Sequence, residues 1–126
     1  MIIRKSPAEI ETMARAGGVV ADTLALVGEH VRPGVTTAEL DELADEFIRS
    51  QGGTSSFKGY RGYPASICTS PNEMVVHGIP GGRTLAEGDI LSVDVGVSLD
   101  DAGDDIDGEP HTSRAPDLGA DELTGN

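Results

Sequence analysis

The hydrophobic and polar positions of the first fifty residues recur with helical spacing and predict two amphipathic helices. Ser6 and Glu9 form a capping box with Pro7 at the first helical position, and Thr36 and Glu39 form a second box. The sequences Arg-Pro-Gly and Gln-Gly-Gly end the two helices. Their apolar stripes are Ile10, Met13, Ala14, Val20, Leu24 and Val27, and then Leu40, Leu43, Ala44, Phe47 and Ile48.

From residue 52 onward the apolar runs are shorter, and glycine, serine and proline separate them. Residues 52–64 predict an irregular loop, and residues 65–69 and 73–77 predict short strands. Residues 90–97 predict the clearest strand, because apolar and polar side chains alternate there. One face carries Leu91, Val93, Val95 and Val97, and the other carries Ser92, Asp94 and Gly96. Asp94 is therefore predicted to lie on a rigid strand, on the side away from the valines.

The pattern ends after Leu99, where an acidic segment without aromatic residues begins. Residues 1–99 carry eight Lys and Arg against 13 Asp and Glu, a net charge of −5. Residues 100–126 carry Arg114 against nine acids, a net charge of −8. Such a segment buries too little apolar surface to order itself, so we predict a body at 1–99 and a disordered tail at 100–126. The tail would repel nucleic acid and anionic membranes, and we expect neither as a partner.

Cysteine usage and the lack of long apolar segments favour a cytoplasmic protein. Cys68 is the single cysteine, which excludes an internal disulfide framework. The N-terminal residues lack the apolar run of a signal peptide, and no run approaches the length of a membrane span. At 126 residues the chain is expected to form one domain at most.

The residues suited to chemistry concentrate between Tyr60 and Asp94. Tyr60 and Tyr63 are the two tyrosines of a chain that is 3% aromatic, and Cys68 follows them closely. His77 stands in a His-Gly-Ile-Pro turn, where glycine permits a sharp bend and proline stiffens the backbone. A fixed imidazole suits proton transfer or hydrogen bonding to a developing charge. The alternative is a histidine with an ordinary surface or core role.

Asp94 and the aromatic residues each allow two interpretations. On the polar face of its strand, Asp94 is suited to metal coordination. The alternative, more common for strand carboxylates, is contact with solvent or a backbone amide. The residues Phe57, Tyr60, Tyr63 and Cys68 form either the lining of a small apolar pocket or a packing cluster.

Three groups of motifs taken together resemble type I methionine aminopeptidases. They are Gly-Tyr-Arg-Gly-Tyr-Pro at 59–64, Cys-Thr-Ser-Pro-Asn-Glu at 68–73 with Val-His-Gly-Ile-Pro at 76–80, and Gly-Asp-Ile at 88–90 with Asp-Val-Gly-Val at 94–97. The spacing between these motifs is as specific as their residues. The resemblance covers residues 1–99 almost without a gap.

The resemblance implies a partial pita-bread fold of the α+β class, an N-terminal half in which two helices back a curved antiparallel sheet. It also implies removal of the initiator methionine from nascent polypeptides when the next residue is small. Two divalent metal ions would hold the attacking water, and the sequence does not distinguish among cobalt, manganese, iron, zinc and nickel.

The same resemblance assigns roles to single residues. His77 is the active-site histidine beside the scissile amide and contacts the substrate, and Asp94 is the first metal-ligating aspartate. The positions that line the pocket for the methionine side chain are Phe57, Tyr60, Tyr63 and Cys68. A thioether is apolar and polarisable, so rings and sulfur suit it.

The metal set that the resemblance implies is two aspartates, one histidine and two glutamates, and only part of it has a counterpart here. Asp105 stands eleven residues after Asp94, the family spacing for the second aspartate, although Gly108 and Pro110 argue against a paired strand there. His111 has no family motif around it and is expected to be a tail histidine in solvent. One or two carboxylates leave a divalent ion mostly hydrated, so we expect this chain alone to be a truncated, inactive aminopeptidase.

Two other interpretations stand beside this one. A non-catalytic module that binds methionine-starting N-termini or a complementary half would keep the pocket without the metals. A non-functional gene remnant would fail to fold alone. Half of a pita-bread fold would also leave a sheet edge uncovered, so we expect self-association through that edge.

Overall fold

The computed structural model describes residues 2–99, and within that range two helices precede four short strands. The elements are α1 (Pro7–His30), α2 (Thr37–Ser50), β1 (Gly53–Ser55), β2 (Ile67–Pro71), β3 (Leu91–Val95) and β4 (Val97–Leu99), with a 3-10 turn at Tyr60–Gly62. The expected α+β class is confirmed. Neither helix of this range is apolar over a length that would span a bilayer. The disorder predicted for 100–126 concerns residues outside the described range and stays a prediction.

Both helices begin at the capping boxes that the sequence predicts. In α1 the Glu9 amide donates to Ser6 Oγ at 3.1 Å, and the Ser6 amide donates to Glu9 Oε1 at 2.7 Å. In α2 the same reciprocal pair joins Thr36 and Glu39 at 3.1 and 3.0 Å. Each box satisfies backbone donors that the start of a helix would otherwise leave without partners, which fixes where the helix begins.

Strands β1 and β2 pair end to end along the same side of the β3–β4 strand. β1 is antiparallel to β4, with Ser55 opposite Val97, and β2 is antiparallel to β3, with Ile67 opposite Val95. Ser55 Oγ donates to the Ser66 carbonyl oxygen at 2.6 Å, a distance that strands on opposite sides of a central strand would not allow. The residues between β1 and β2 therefore leave the sheet as a loop.

The prediction of a strand at residues 73–77 is wrong, because that segment lies outside the sheet. Asn72 turns the chain with a φ of 52° at the end of the β2–β3 ladder. Its amide donates to the Ile90 carbonyl oxygen at 2.7 Å, and its Oδ1 accepts from the Ile90 amide at 3.0 Å. The apolar residues that follow meet no neighbouring strand, and they are exposed within the described part of the chain.

One other strand prediction and one loop prediction need correction. The strand predicted at 90–97 is interrupted at Gly96, where pairing passes from β2 to β1, and it continues to Leu99. The loop predicted at 52–64 contains β1, whose Gly-Thr-Ser sequence has no apolar alternation to indicate a strand. Pairing with β4 orders these three residues, and no local pattern encodes that pairing.

The helices cover one face of the sheet and enclose the core. α1 packs on α2 and β4, and α2 packs on β1 and β2. The buried core residues are Val19, Val27, Val35, Leu40, Ala44, Ile48, Ile67, Leu85, Val95 and Val97. Because successive side chains of a strand point to opposite faces, Cys68 and Asp94 lie on the face that the helices leave uncovered.

Candidate functional site

Cys68 and Asp94 form the floor of a cavity on the uncovered face of the sheet. They lie directly opposite each other in the β2–β3 ladder. In this position the Cβ atoms of two paired residues are about 5 Å apart. Cys68 is 5% exposed, and Asp94 is half-buried. The antiparallel register therefore joins two residues that are well separated along the chain.

The loop between β1 and β2 builds the aromatic wall of the cavity. Ser55 anchors its start, because Ser55 Oγ accepts the amide protons of Phe57 and Lys58 at 3.0 and 3.3 Å. Phe57 is 8% exposed and packs edge to face with Tyr63 at a centroid distance of 6.4 Å. This geometry suits the charge distribution of aromatic rings, so the two rings stabilise each other beside the floor.

Tyr60 and Arg61 lie at the mouth of the cavity. Tyr60 is 45% exposed, and the guanidinium carbon of Arg61 lies 5.3 Å from the centroid of its ring, within the range of a cation–π contact. Arg61 and its neighbours Gly59 and Gly62 have φ values of 50°, 86° and 82°. This left-handed backbone turns the loop tightly and brings both side chains to the rim.

The third wall is the His77–Gly78 turn, which lies along the outer edge of β2. The Gly78 carbonyl oxygen accepts from the Thr69 amide at 2.9 Å, and the Gly78 amide donates to Ser70 Oγ at 3.0 Å. A Cβ on Gly78 would overlap the Thr69 carbonyl oxygen, so only glycine fits this approach.

His77 itself has a φ of 62°, a left-handed conformation that is uncommon outside glycine, although histidine is enriched there. Its side chain is exposed and lines the cavity. Among residues 2–99 the imidazole makes no hydrogen bond. Within that range, the backbone of the turn therefore sets where the imidazole lies.

The Tyr63 hydroxyl connects the aromatic wall to the other two sides. Its oxygen lies 2.9 Å from the Ile67 carbonyl oxygen and 3.1 Å from the Gly78 carbonyl oxygen. Burial, together with contact with Cys68, raises the pKa of Tyr63 well above its usual value. The hydroxyl therefore stays protonated and shares its one proton between the two carbonyl oxygens.

These walls and the floor surround a cavity of about 480 Å³, a size typical of small-molecule sites. Its lining residues are Phe57, Tyr60, Arg61, Gly62, Tyr63, Pro64, Cys68, His77, Ile79 and Asp94. The structure thus brings together every predicted site residue that it describes, and their roles stay predictions. Asp105, the remaining predicted residue, lies outside the described range.

The described residues do not form a metal centre by themselves. Among residues 2–99, no group of three or more His, Cys, Asp and Glu side chains lies close enough together to hold a metal ion. Asp94 offers one carboxylate to the cavity. A transition-metal ion needs several ligands in fixed geometry, so the donors in this range do not fit a two-metal centre by themselves.

Asp41 and Asp45 of α2 support the floor of the cavity, although they are absent from the predicted site residues. Asp41 Oδ1 accepts the amide protons of Ser66 and Ile67 at 2.8 and 3.0 Å, and Asp45 Oδ1 accepts the Ser66 hydroxyl proton at 2.6 Å. Partial burial opposes the charge of Asp45, but hydrogen bonds from Ser66 and Arg49 outweigh it and lower the pKa of Asp45. Their i, i+4 spacing in the sequence predicts that both carboxylates share one face of α2, but it does not predict which groups they contact.

Comparison with known proteins gives a family match and close relatives. The model of metallopeptidase family M24 matches residues 11–106, so the match extends beyond the predicted boundary at 99 and across Asp105. Methionine aminopeptidase of Clostridium perfringens is 54% identical over 99 residues, and methionine aminopeptidase 1 of Bacillus subtilis is 52% identical over 99 residues. Each alignment covers 79% of this chain and 40% of the relative.

Solved structures give the same result. Methionine aminopeptidases from Rickettsia prowazekii and Thermotoga maritima superpose with a TM-score of 0.76, at 41% and 43% identity, over 79% of this chain and 40% of theirs. An Xaa-Pro dipeptidase from Bacillus anthracis, at 23% identity and a TM-score of 0.65, shares the fold alone. The chain thus spans about 40% of the length of these methionine aminopeptidases. The expected resemblance and the partial pita-bread architecture are confirmed.

Proposed function

The chain belongs to metallopeptidase family M24, and from that membership we propose that it is the methionine-binding portion of a methionine aminopeptidase. The proposed reaction is hydrolysis of the peptide bond after an N-terminal methionine, with nascent proteins in the cytoplasm as substrates. Because the chain spans about 40% of the relatives' length, the reaction is proposed for a complete site. This chain contributes the methionine pocket, His77 and Asp94 to that site.

One observation carries the proposal: three separate segments converge on one cavity whose surface suits a methionine side chain. The loop after β1 contributes Phe57 and Tyr63, β2 contributes Cys68, and the turn after it contributes His77. Aromatic rings and sulfur are favourable neighbours for a thioether, which is polarisable and flexible. Methionine would therefore enter the cavity side chain first, with its peptide bond toward His77.

His77 is the residue that we propose to contact the reacting peptide bond. Its imidazole lines the cavity and makes no hydrogen bond among residues 2–99, so a substrate would meet a donor whose hydrogen-bonding capacity is unused in that range. In the proposed complex an imidazole N–H donates to the scissile peptide group. Such a donor stabilises charge that develops during hydrolysis.

Asp94 and Asp105 are the residues that we propose as contributors to a divalent metal site. Asp94 reaches the cavity from a paired strand, which fixes its position. Cobalt, manganese, iron, zinc and nickel are the candidate metals, with two ions in a complete site. The remaining ligands are proposed to come from the part of the relatives' length that this chain does not span. The described residues bind and orient the methionine.

The first experiment measures peptide binding to the purified 126-residue chain. We expect Met-Gly-Met to shift the NMR signals of Cys68 and Asp94, and Glu-Gly-Met to bind at least about tenfold more weakly, because an apolar pocket strips water from the carboxylate. Phe57→Ala should weaken the binding of Met-Gly-Met. Lys58→Ala, at the exposed neighbouring position, is the matched control. Equal affinity for the two peptides would contradict the pocket.

A second candidate is a non-catalytic module that binds methionine-starting N-termini or a complementary half. It is favoured by the observation that the cavity forms although no metal-binding cluster is present among the described residues. Turnover separates the two candidates. Metal-independent binding of Met-Gly-Met without release of methionine supports the module. Release that requires added manganese or cobalt supports a catalytic chain and contradicts the inactivity expected from the sequence.

We also propose self-association through the outer edge of β3 and β4. β1 and β2 both occupy the opposite edge, and within the described range no strand pairs with the outer one. An unpaired strand edge is a template for pairing with another chain. Light scattering of the purified chain should give a mass above that of one chain, falling on dilution. A single-chain mass at every concentration would exclude this proposal.

A further inference from the structure

The methionine pocket needs the ring of Tyr63 but not its hydroxyl. The ring packs against Phe57 and lines the cavity, whereas the hydroxyl contacts two backbone carbonyl oxygens. Tyr60, the other tyrosine of the lining, is 45% exposed, and its hydroxyl bridges no pair of backbone carbonyl oxygens among the described residues. The Tyr63 hydroxyl therefore acts on the backbone in addition to the contact that its ring makes with the cavity.

His77 depends on its backbone for position, because its imidazole makes no hydrogen bond among residues 2–99. The residues before it, Val75 and Val76, are exposed and do not pack against the core. Gly78 is where the turn attaches to the rest of the fold. Its amide donates to Ser70 Oγ, and its carbonyl oxygen accepts from the Thr69 amide and the Tyr63 hydroxyl.

We propose that the Tyr63 hydroxyl is a positioning group for His77. By bridging the carbonyl oxygens of Ile67 and Gly78, it sets the separation between β2 and the turn that presents the imidazole. The role of His77 in this inference rests on the proposed function, whereas the bridge rests on the hydrogen bonds alone.

The bridge is anchored in the helical layer of the fold. Asp41 on α2 accepts the Ile67 amide proton at 3.0 Å, so the residue whose carbonyl oxygen receives the Tyr63 hydroxyl is itself held by a carboxylate. Asp41 also accepts the Ser66 amide proton at 2.8 Å. A hydrogen-bonded path thus runs from α2 through the start of β2 and Tyr63 to the His77 turn.

Tyr63 consequently touches two parts of the proposed site at once. Its ring faces the space proposed for the methionine side chain, and its hydroxyl holds the backbone next to His77. A side chain that presses on the ring acts on the same residue that places the imidazole. Pocket occupancy and the position of His77 are therefore coupled through one side chain.

The test is Tyr63→Phe in the full chain, with Tyr60→Phe as the matched control. Loss of one hydrogen bond of ordinary strength should speed hydrogen exchange of the Thr69 amide by about fivefold to tenfold in Tyr63→Phe. The ring NMR signals of His77 should shift or broaden, while those of His30, at the end of α1, stay unchanged. A purely structural role would lower the melting temperature without moving the His77 signals of the folded state.

Ser70→Ala is the second variant and removes the acceptor of the Gly78 amide from the other side of the turn. It should change the His77 signals in the same way, and it replaces Tyr63→Phe as the test if circular dichroism shows that variant to be unfolded. Unchanged His77 signals in a folded Tyr63→Phe, or in Ser70→Ala if that variant alone folds, overturn the positioning role. Failure of Met-Gly-Met to bind the unmodified chain overturns the proposed function alone, because the His77 signals are measured without peptide.

Discussion

Helices α1 and α2 start with the same kind of capping box but bury different shares of their apolar stripes. α2 buries its stripe along most of its length, from Leu40 to Ile48. α1 buries side chains only from Val19 onward, and Ile10 and Met13 are 56% and 46% exposed within the described residues. The two helices therefore share a local pattern and differ in what packs against it.

The difference shows which forces act on each segment. α2 packs against both α1 and the sheet, so apolar burial adds to its local stability. The first turns of α1 extend past the core cluster, and there capping and propensity act almost alone. Isolated helical turns are marginal in water, so this part of α1 should open more readily than the rest.

The largest contrast is expected between Ile48→Ala and Ile10→Ala. Ile48 is 0% exposed, and its truncation should lower the free energy of unfolding by about 3 kcal/mol through lost burial and a cavity. Ile10→Ala should cost about 0.5 kcal/mol or less. Urea denaturation at equal protein concentration measures both. A cost for Ile10→Ala close to that for Ile48→Ala would mean that α1 is covered in solution, and the contrast between the helices would be lost.

Two glycines give the next contrast. Gly78→Ala should destabilise the chain by about 2 kcal/mol, because the new methyl group overlaps the Thr69 carbonyl oxygen. Gly17→Ala, in the sparsely packed part of α1, meets nothing within 4 Å and should stabilise by about 0.5 kcal/mol through helix propensity. Thermal melts of the two variants should shift in opposite directions. A destabilising Gly17→Ala would reveal a close partner for α1.

The capping boxes sharpen the comparison at a smaller scale. Thr36→Ala should lower the free energy of unfolding by about 1 kcal/mol, since α2 is part of the cooperative core. Ser6→Ala removes the same kind of hydrogen bond but should cost less than about half as much globally. Its effect should instead be faster amide exchange in the first turn of α1. Equal global losses would show that α1 unfolds as one unit with the core.

The smallest effect is a pH dependence from Asp45, which joins α2 to the start of β2. Its pKa lies below the usual value of 3.8, so its stabilising effect is complete above that value and disappears as pH falls through the lowered folded pKa. Asp45→Asn should therefore lose less stability than the unmodified chain between neutral pH and strongly acidic pH. Glu46→Gln, on the exposed side of α2, is the control and should keep the original profile.

The sequence predicted those parts of the fold that depend on near neighbours. The capping boxes at Ser6 and Thr36 were confirmed. They could be predicted because each involves two residues that are three positions apart in the sequence. The alternation after residue 90 correctly placed Asp94 on the face away from Val95. The strand predicted at 73–77 failed for the opposite reason, since a strand requires a neighbouring strand and the turn at Asn72 provides none.

The site was predicted as a set of residues but not as an arrangement. Resemblance selected the lining residues from Phe57 to Asp94, whereas the supporting contact of Asp41 with Ile67 joins positions 26 apart in the sequence. No spacing rule connects a helix carboxylate to an amide that distant. The contact of the Tyr63 hydroxyl with the Gly78 carbonyl oxygen was also missed. Every residue has a backbone carbonyl oxygen, so the sequence does not show which one a hydroxyl contacts.

The sequence by itself determined where the helices begin, which face of the last strand is apolar, and which family the motifs belong to. These features arise from steric limits, capping and side-chain period, all of which act over a few residues. Only the tertiary structure decided that Cys68 faces Asp94, that pairing changes partner at Gly96, and that α1 is buried from Val19 onward. Those outcomes depend on contacts between segments that are distant in the sequence. The local pattern of one segment does not specify which other segment packs against it.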